Sequence, residues 1–162
     1  MFVLNEKVVY PGHGVAEISC IVEKVVGGSI TKFLTLKFFN KEMTILVPME
    51  SAVEVGIRKL SSRKNISDVM RILSEPTGVC CENNSVNWNK RNKEYQCKLR
   101  SGNIYEIGKI YRDLKYIAAK KELSFGEKSL LSKTESLLVE EIAIVTDEGE
   151  EKTIQHLRSM FA

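Results

Sequence analysis

The sequence predicts an α+β protein, with a small antiparallel β-barrel in residues 1–56 and an all-helical domain in residues 57–162. Two observations lead to this prediction. In the first segment, short runs rich in β-branched residues are separated by glycine and proline turns, which is typical of strands joined by tight turns. After residue 57 the apolar residues recur three or four positions apart, which is the period of an amphipathic helix.

The N-terminal segment is predicted to contain four or five short strands. Its clearest turn signals are Pro11-Gly12-His13-Gly14 and Gly27-Gly28, and the second of these is typical of a hairpin. Pro48 is expected to end the last strand. The main predicted strands are residues 8–10, 15–26, 33–39 and 44–47. Several short strands joined by tight turns are typical of a small barrel.

The C-terminal segment is predicted to contain five helices. Ser67-Asp68 is the expected cap of the first helix, and Glu75-Pro76-Thr77-Gly78 is expected to end it. Ser101-Gly102 is expected to close the second helix, and Ser124 and Glu127 have the spacing of a capping box at the start of the fourth. The predicted helices lie around residues 66–73, 85–100, 104–117, 124–145 and 150–161.

Charge is segregated along the chain, although the net charge is only +3. Residues 84–133 contain twelve lysines and arginines against five acids, a net of +7, whereas residues 134–162 contain two cations against seven acids. A block of one sign is what a polyanion-binding face needs. Lysine-rich helices that are merely solvated are also common, so both interpretations stand at this point.

Trp88, the single tryptophan, lies near the start of this block in the run Asn87-Trp88-Asn89-Lys90-Arg91. A residue of this size usually lies in a hydrophobic run, where its burial is strongly stabilising. Amides and cations around an indole are instead typical of a ring that contacts nucleic-acid bases while the cations bind phosphates. On the predicted helix, Trp88 shares a face with Tyr95 and Leu99, so a place in the core is the alternative.

The sequence contains few of the motifs that catalysis requires. It has no glycine-rich phosphate loop and no nucleophile elbow, and His13 and His156 are far apart in the chain. The four cysteines lack the spacing of a zinc site, so reduced thiols are expected, without a metal or another cofactor. Glu140-Glu141 is interpreted as a pair of helix-surface acids. The expected protein is therefore not an enzyme.

The location and oligomeric state follow from what the sequence does not contain. No apolar run approaches the roughly 18 residues of a membrane span, and the acidic start of the chain is unlike a signal peptide. A cytoplasmic protein is therefore expected. Neither half shows a spare apolar stripe, so a monomer is expected.

Four segments occur in a recognisable order along nearly the whole chain. They are the strand and turn Val8–Gly14, the strand Thr44–Pro48, the Trp88-bearing helix and the motif Leu123–Lys128. Together they resemble the CarD/CdnL family of bacterial transcription regulators. The opening motif is shared with transcription–repair coupling factors, whereas the tryptophan helix combined with the Gly-Glu-Lys motif is much more specific to the family.

The resemblance implies a Tudor-like N-terminal domain that binds the RNA polymerase β subunit, and a helical domain that binds promoter DNA near the upstream edge of the transcription bubble. Trp88 is implied to wedge into the minor groove there and to slow collapse of the bubble. The implied DNA contacts are Asn87, Trp88, Lys90, Arg91, Lys93 and Lys128, and the charge map adds Lys120 and Lys121. The implied polymerase contacts are Lys24, Ile45, Leu46 and Val47.

One departure from the family pattern concerns the polymerase contacts. Family members often carry arginine where Leu46 stands, so no single charged contact is expected to dominate. An edge strand could still pair with a sheet of the polymerase, because main-chain pairing depends little on side-chain identity.

The sequence as a whole predicts a transcription regulator that binds RNA polymerase and stabilises the open promoter complex. Two alternatives stay open on the residues alone. One is a nucleoid-like protein that binds DNA independently of polymerase. The other is an adaptor whose basic face binds an acidic protein.

Overall fold

The computed structural model describes residues 2–39, 41–76 and 88–161, and of Trp88 it describes the backbone alone. The chain forms two compact units, Met1–Leu60 and Ser61–Ala162. The predicted α+β class is confirmed, because the first unit is built on an antiparallel sheet and the second consists of helices.

The first unit contains five strands in one sheet. They are β1 (Lys7–Tyr10), β2 (Gly14–Val26), β3 (Ser29–Phe38), β4 (Thr44–Pro48) and β5 (Arg58–Lys59). Every pairing is antiparallel, and the strand order is β4-β3-β2-β1-β5. The β2–β3 hairpin turns at Gly27-Gly28, where both residues have the positive φ that a tight hairpin turn requires.

The sheet is open, whereas the sequence predicted a barrel. Among the described strands, β4 and β5 are the two edges and do not pair with each other. β5 has only two residues, both paired with β1, so it is too short to close the sheet against β4. The short helix α1 (Ala52–Val55) ends at Gly56 and leads into this strand. Ile57 packs in the core of the sheet, so residues 57–60 lie with the first unit, beyond the predicted boundary at residue 56.

The core of the first unit lies on one face of the sheet. Side chains alternate between the two faces of a strand, so every second residue of β3 and β4 points into this core. Its buried members are Val8, Ala16, Ile18, Leu34, Leu36, Phe38, Val47, Ala52 and Ile57.

The second unit packs its helices around a central one. The helices are α2 (Arg63–Ser74), α3 (Trp88–Ser101), α4 (Ile104–Lys120), α5 (Phe125–Thr146) and α6 (Glu150–Ser159). α4 contacts α2, α3 and α5. α2 comes close to α4 at Gly108, where an added Cβ would lie 3.2 Å from Val69 Cγ1. No helix in the described ranges is both long and apolar enough to cross a membrane.

The helix ends predicted at Ser101-Gly102 and at Ser124 with Glu127 are correct, whereas the predicted start of the second helix at Ser85 lies outside the described residues. The start of α2 differs from the prediction. The N-cap there is Ser62, whose Oγ accepts a hydrogen bond from the Asn65 backbone N–H at 3.1 Å. The prediction that Ser67-Asp68 caps this helix is wrong, because both residues lie inside it. The helix begins about one turn before its apolar stripe, so the stripe alone marks the start too late. At the other end, Glu75 terminates α2 as predicted.

A hydrogen-bond network that runs from the buried Tyr111 to the exposed Arg158 joins α4, α5 and α6. The Tyr111 hydroxyl donates to Glu135 Oε2 at 2.9 Å, and Arg158 Nη2 donates to Glu135 Oε1 at 2.7 Å. Burial raises the pKa of Tyr111, and the hydrogen bond to the Glu135 carboxylate raises it further. Burial also acts to raise the pKa of Glu135, but the bonds from Arg158 and Tyr111 outweigh it and leave this pKa lowered.

Glu140 and Glu141 are buried, so their interpretation as surface acids was wrong. Glu141 Oε2 accepts a hydrogen bond from the Ser61 backbone N–H at 2.9 Å. This bond fixes the first residue of the helical unit to the middle of α5. A pair of adjacent acids looks like a solvated surface in the sequence, because the partner of Glu141 lies eighty positions away.

Candidate nucleic-acid interface

α3 packs against the helical core through a narrow apolar stripe. Tyr95 and Leu99, one turn apart, are buried in that core. Gly102 ends the helix with a φ of +70°, and its N–H donates to the Leu99 carbonyl at 3.2 Å. Burial raises the pKa of Tyr95 to about 12, assisted by the charge of Asp113 and opposed by that of Arg91. The rest of α3 is polar, so the helix leaves a charged face uncovered by the core.

The first turns of α3 carry cations that no acid in the described part of the chain neutralises. Lys90 and Lys93 are exposed and Arg91 is half-buried, and none of the three forms an ion pair with a described residue. Later in the same helix, Lys98 pairs with Glu106 of α4 at 3.5 Å. The cations at the start of α3 are therefore available to an external anion.

Two members of the predicted DNA-contacting set are beyond what the structure describes. Asn87 lies outside the described residues, and so does the side chain of Trp88. Trp88 is the first described residue of α3, one turn before Asn92. Its assignment as a DNA contact therefore stays a proposal.

A capping box fixes the corner between α4 and α5. Ser124 Oγ accepts from the Glu127 N–H at 3.3 Å, and Glu127 Oε1 accepts from the Ser124 N–H at 3.1 Å, as the sequence predicts. Lys121 Nζ lies 3.4 Å from the same carboxylate oxygen, and Glu127 is only 5% exposed. Burial acts to raise the pKa of Glu127, but the hydrogen bonds with Ser124 and the charge of Lys121 outweigh it. The pKa is therefore lowered, and the carboxylate is charged at neutral pH.

This corner gives different roles to the lysines around it. Lys121 is bound to the buried Glu127, so it belongs to the structure of the corner. The Nζ of Lys120 lies 5.7 Å from the centre of the Tyr116 ring. Lys128 pairs with Glu122 at 3.7 Å, and both side chains are exposed. Such an exposed pair contributes about 0–1 kcal/mol, so a phosphate can take the place of the acid.

α3 and the first turns of α5 enclose a groove of about 340 Å³. Asn92 and Gln96 line it from α3, and Phe125, Ser129 and Lys133 line it from α5. Phe125 is 88% exposed, and Gln96 Nε2 donates to Asn92 Oδ1 at 3.5 Å. None of these five residues belongs to the set predicted from the sequence.

A local signal could have identified Phe125. Once Ser124 is the N-cap, Phe125 is the first residue of α5, while the buried stripe of that helix runs through Leu130, Thr134 and Leu138. Residues on one helix face are three or four positions apart. Phe125 is two positions before the buried Glu127, so its ring does not lie on the buried face. The groove itself had no sequence signal, because α3 and α5 meet only in the folded unit.

In the N-terminal unit, Lys24 and Leu46 lie on the same face of the sheet, opposite the core. Leu46 pairs with Thr35, and Lys24 pairs with Thr31. These two β3 residues are four positions apart, so they share one face of the strand. Lys24 Nζ lies 6.0 Å from the centre of the Phe33 ring, and Leu46 is 46% exposed.

Ile45 and Val47 lie on the core face of β4. Val47 is buried, and Ile45 packs against the core from a partly buried position. Their side chains are therefore committed to the fold. The predicted polymerase-facing set thus divides into two outward side chains, Lys24 and Leu46, and two side chains that face the core, Ile45 and Val47.

Two family models match the chain in order along its length. Residues 2–61 match the CarD-like/TRCF RID domain, and residues 68–158 match the CarD C-terminal domain. The chain belongs to the CarD family. This family consists of transcription factors, so the chain has a role in transcription regulation. Its N-terminal unit is of a domain type that interacts with RNA polymerase.

The chain is also similar to two individual proteins. The protein "Putative transcription factor YdeB" of Bacillus subtilis (strain 168) is 24% identical over 145 residues, covering 90% of this chain and 92% of the relative. The solution NMR structure of the 72-residue N-terminal domain of Myxococcus xanthus CarD is 30% identical, with a TM-score of 0.32. That likeness covers 36% of this chain and 79% of the solved one.

Replacing Glu127 with glutamine should make the stability of the helical unit less sensitive to acid. Since the pKa of Glu127 is lowered from its ordinary value of 4.5, its charge stabilises the fold above that value. The contribution is lost as the pH falls through the lowered pKa. Glu127→Gln should lower the unfolding free energy at pH 7 by about 1 kcal/mol, because the capping box is weakened. Urea unfolding at pH 7 and at acid pH, followed by helical circular dichroism, measures both effects.

The matched control is Glu122→Gln, which removes a carboxylate whose side chain is 90% exposed. It should leave both the stability and its pH dependence close to those of the wild type. If Glu127→Gln lost as much stability on acidification as the wild type does, the buried carboxylate would not have the role assigned to it.

Proposed function

We propose that this CarD family member binds the RNA polymerase β subunit through its N-terminal sheet and stabilises the open promoter complex through its helical unit. The observation that carries the DNA half of the proposal is the group of exposed cations at the start of α3. These have no acid partner among the described residues and lie in a block of net charge +7. The domain type of the N-terminal unit supports polymerase as the partner.

The polymerase contact is proposed at the β4 edge and the outer sheet face beside it. β4 is an edge strand, so the backbone groups on its outer side have no partner among the described strands. An edge of this kind can take a strand of a partner by main-chain pairing, and side chains beside the edge then give specificity. Leu46 and Lys24 lie on the outer face and would supply those side chains, while Ile45 and Val47 hold the edge in register.

The DNA contact is proposed along α3 and the α4–α5 corner. Lys90, Arg91, Lys93 and Lys128 would bind phosphates, which positions the protein without reading the base sequence. Trp88, with Asn87 beside it, would insert as an apolar wedge into the minor groove at the upstream edge of the melted region. Unstacking a base step costs about a few kcal/mol, and contacts of the ring and of the cations offset this cost.

The proposed mechanism is differential binding. A wedge that fits only distorted DNA binds the open complex better than the closed one, and therefore shifts the equilibrium toward the open form. Binding to polymerase makes the DNA contact effectively intramolecular, so a contact that is weak in isolation becomes effective.

Replacing Trp88 with alanine should shorten the lifetime of the open promoter complex by about tenfold, because loss of the wedge removes stabilisation of the melted state. Binding to polymerase should persist, since the N-terminal sheet is unchanged. The lifetime is measured by challenging preformed complexes with a competitor, with the full chain present in excess. Trp88→Phe keeps an aromatic ring and should retain part of the effect.

Tyr116→Ala is the matched control, because Tyr116 is an exposed aromatic residue of the helical unit that does not line the groove. It should leave the lifetime unchanged. An unaltered lifetime with folded Trp88→Ala would contradict the wedge. Tight, salt-sensitive duplex binding by the chain without polymerase would instead favour a nucleoid-like role.

Replacing Leu46 with glutamate should weaken binding to the isolated β subunit by about tenfold, the effect expected of a central interface residue. Leu46 is half-exposed, so the fold should tolerate the charge. The matched control is Val53→Glu, which places the same charge at an apolar residue of the same unit that is 75% exposed. Equal affinities for both variants and the wild type would show that polymerase does not use the outer face beside β4.

A further inference from the structure

Phe125 is the most exposed of the large apolar side chains in the described part of the chain, at 88%. It lies at the first position of α5, directly after the capping serine Ser124. Capping needs only the Ser124 side chain and Glu127, so the position between them could be occupied by a polar residue without loss to the corner. The ring is therefore unexplained by the stability of the fold.

The surroundings of Phe125 are polar and positively charged. Asn92 and Gln96 form the opposite wall of the groove, and their amides carry further donors and acceptors for which the described residues provide no partner. Ser129 and Lys133 line it on the side of α5 together with Gly126 and Leu130, and none of the described residues that line the groove is acidic. Its volume of about 340 Å³ lies within the range of roughly 300–1,000 Å³ that small-molecule sites occupy.

Cations also lie near the groove. Lys133 lines it from α5, and Lys93, which follows Asn92 on α3, is exposed. An aromatic platform, amides and cations in one place are what a site for an unstacked nucleotide needs. The ring stacks on the base, the amides bond to its edge, and the lysines bind the phosphates on either side. An apolar peptide would leave the two amides unsatisfied when the groove is covered.

We propose that the groove between α3 and α5 binds one unpaired nucleotide of single-stranded DNA, with the base stacked on Phe125 and bonded by Asn92 and Gln96. This inference rests on the proposed function, since it places the nucleotide at the edge of the open promoter. Trp88 lies one turn before Asn92, on the same side of α3. The wedge and the groove would therefore act on neighbouring nucleotides, the first separating the bases and the second holding one of them.

The experiment uses the full chain with RNA polymerase and a forked promoter fragment whose upstream edge leaves one strand unpaired. An abasic site is moved along the first unpaired positions, one at a time. At one position the wild type should lose about tenfold in affinity, the order expected for one stacked base. Phe125→Ala should bind the intact fork with about tenfold lower affinity. Removing the same base should not lower the affinity of this variant further, because the ring and the base form one interaction. Binding to the fully paired fragment should be unchanged.

Phe125→Leu and Val53→Ala are the comparison variants. Leucine keeps an apolar side chain without a ring, so it should behave like alanine if stacking is the interaction. Val53→Ala removes an exposed apolar side chain from the other unit and should bind like the wild type. Thermal unfolding of each variant should match the wild type, since Phe125 contributes almost no buried surface.

Three results would overturn the proposal. The first is that the affinity losses caused by Phe125→Ala and by the abasic site add up. The second is that Phe125→Ala loses the same affinity for paired and for forked DNA. The third is that Phe125→Ala loses binding to polymerase in the absence of DNA, which would assign the groove to a protein. The proposed function fails separately, if the wild type does not lengthen the open-complex lifetime. A wild-type effect on lifetime that depends on Trp88, without coupling between Phe125 and a base, would leave the proposed function standing and remove this inference alone.

Discussion

The helical unit depends on a buried carboxylate at the corner where α4 turns into α5. Glu127 accepts a hydrogen bond from the Ser124 N–H at 3.1 Å and lies 3.4 Å from Lys121 Nζ, so a charge that would be unfavourable in the interior is satisfied on two sides. This arrangement sets where α5 begins. The first turns of α5, which carry Phe125 and Lys128, are thereby held beside α3. Without the corner, the groove between the two helices would have no second wall.

The positive block performs two different tasks. Some of its cations are used by the fold: Lys121 binds Glu127, and Arg112 donates to the Ile72 carbonyl at 3.4 Å, which ties α4 to the end of α2. Others, such as Lys90 and Lys93, have no acid partner in the described ranges. An uneven charge along the sequence therefore becomes a localised surface only after the fold has neutralised part of it. That surface lies at the start of α3, where the single tryptophan is found.

Local features of the fold could be predicted from the sequence, and features that depend on distant residues could not. The hairpin at Gly27-Gly28 and the capping box of Ser124 and Glu127 were predictable because each is decided by neighbouring residues. The open edge between β4 and β5 was not, since it depends on how few residues of β5 pair with β1. The burial of Glu141 could not be predicted either, because this residue bonds to the backbone of Ser61, which is distant in the sequence.

The candidate site shows the same division. The cations and Trp88 were identified from composition and from the family resemblance, whereas Asn92 and Gln96 gave no signal because ordinary amides on a helix are expected to be solvated. They are of interest because they line the same groove as the exposed ring of Phe125. On the N-terminal sheet, the register showed that Lys24 and Leu46 face outward, and alternation along β4 assigned its neighbours to the core.

The start of α3 is proposed to contact the upstream edge of melted promoter DNA only when the N-terminal sheet holds polymerase. Site-specific photo-cross-linking tests this most directly, with a photoreactive amino acid in place of Asn89, which is exposed and adjacent to Trp88. Cross-links to DNA at the upstream edge of the bubble are expected when polymerase is present. They should disappear when polymerase is omitted. Cross-links to a polymerase subunit in place of DNA, or the same yield of DNA cross-links without polymerase, would contradict it.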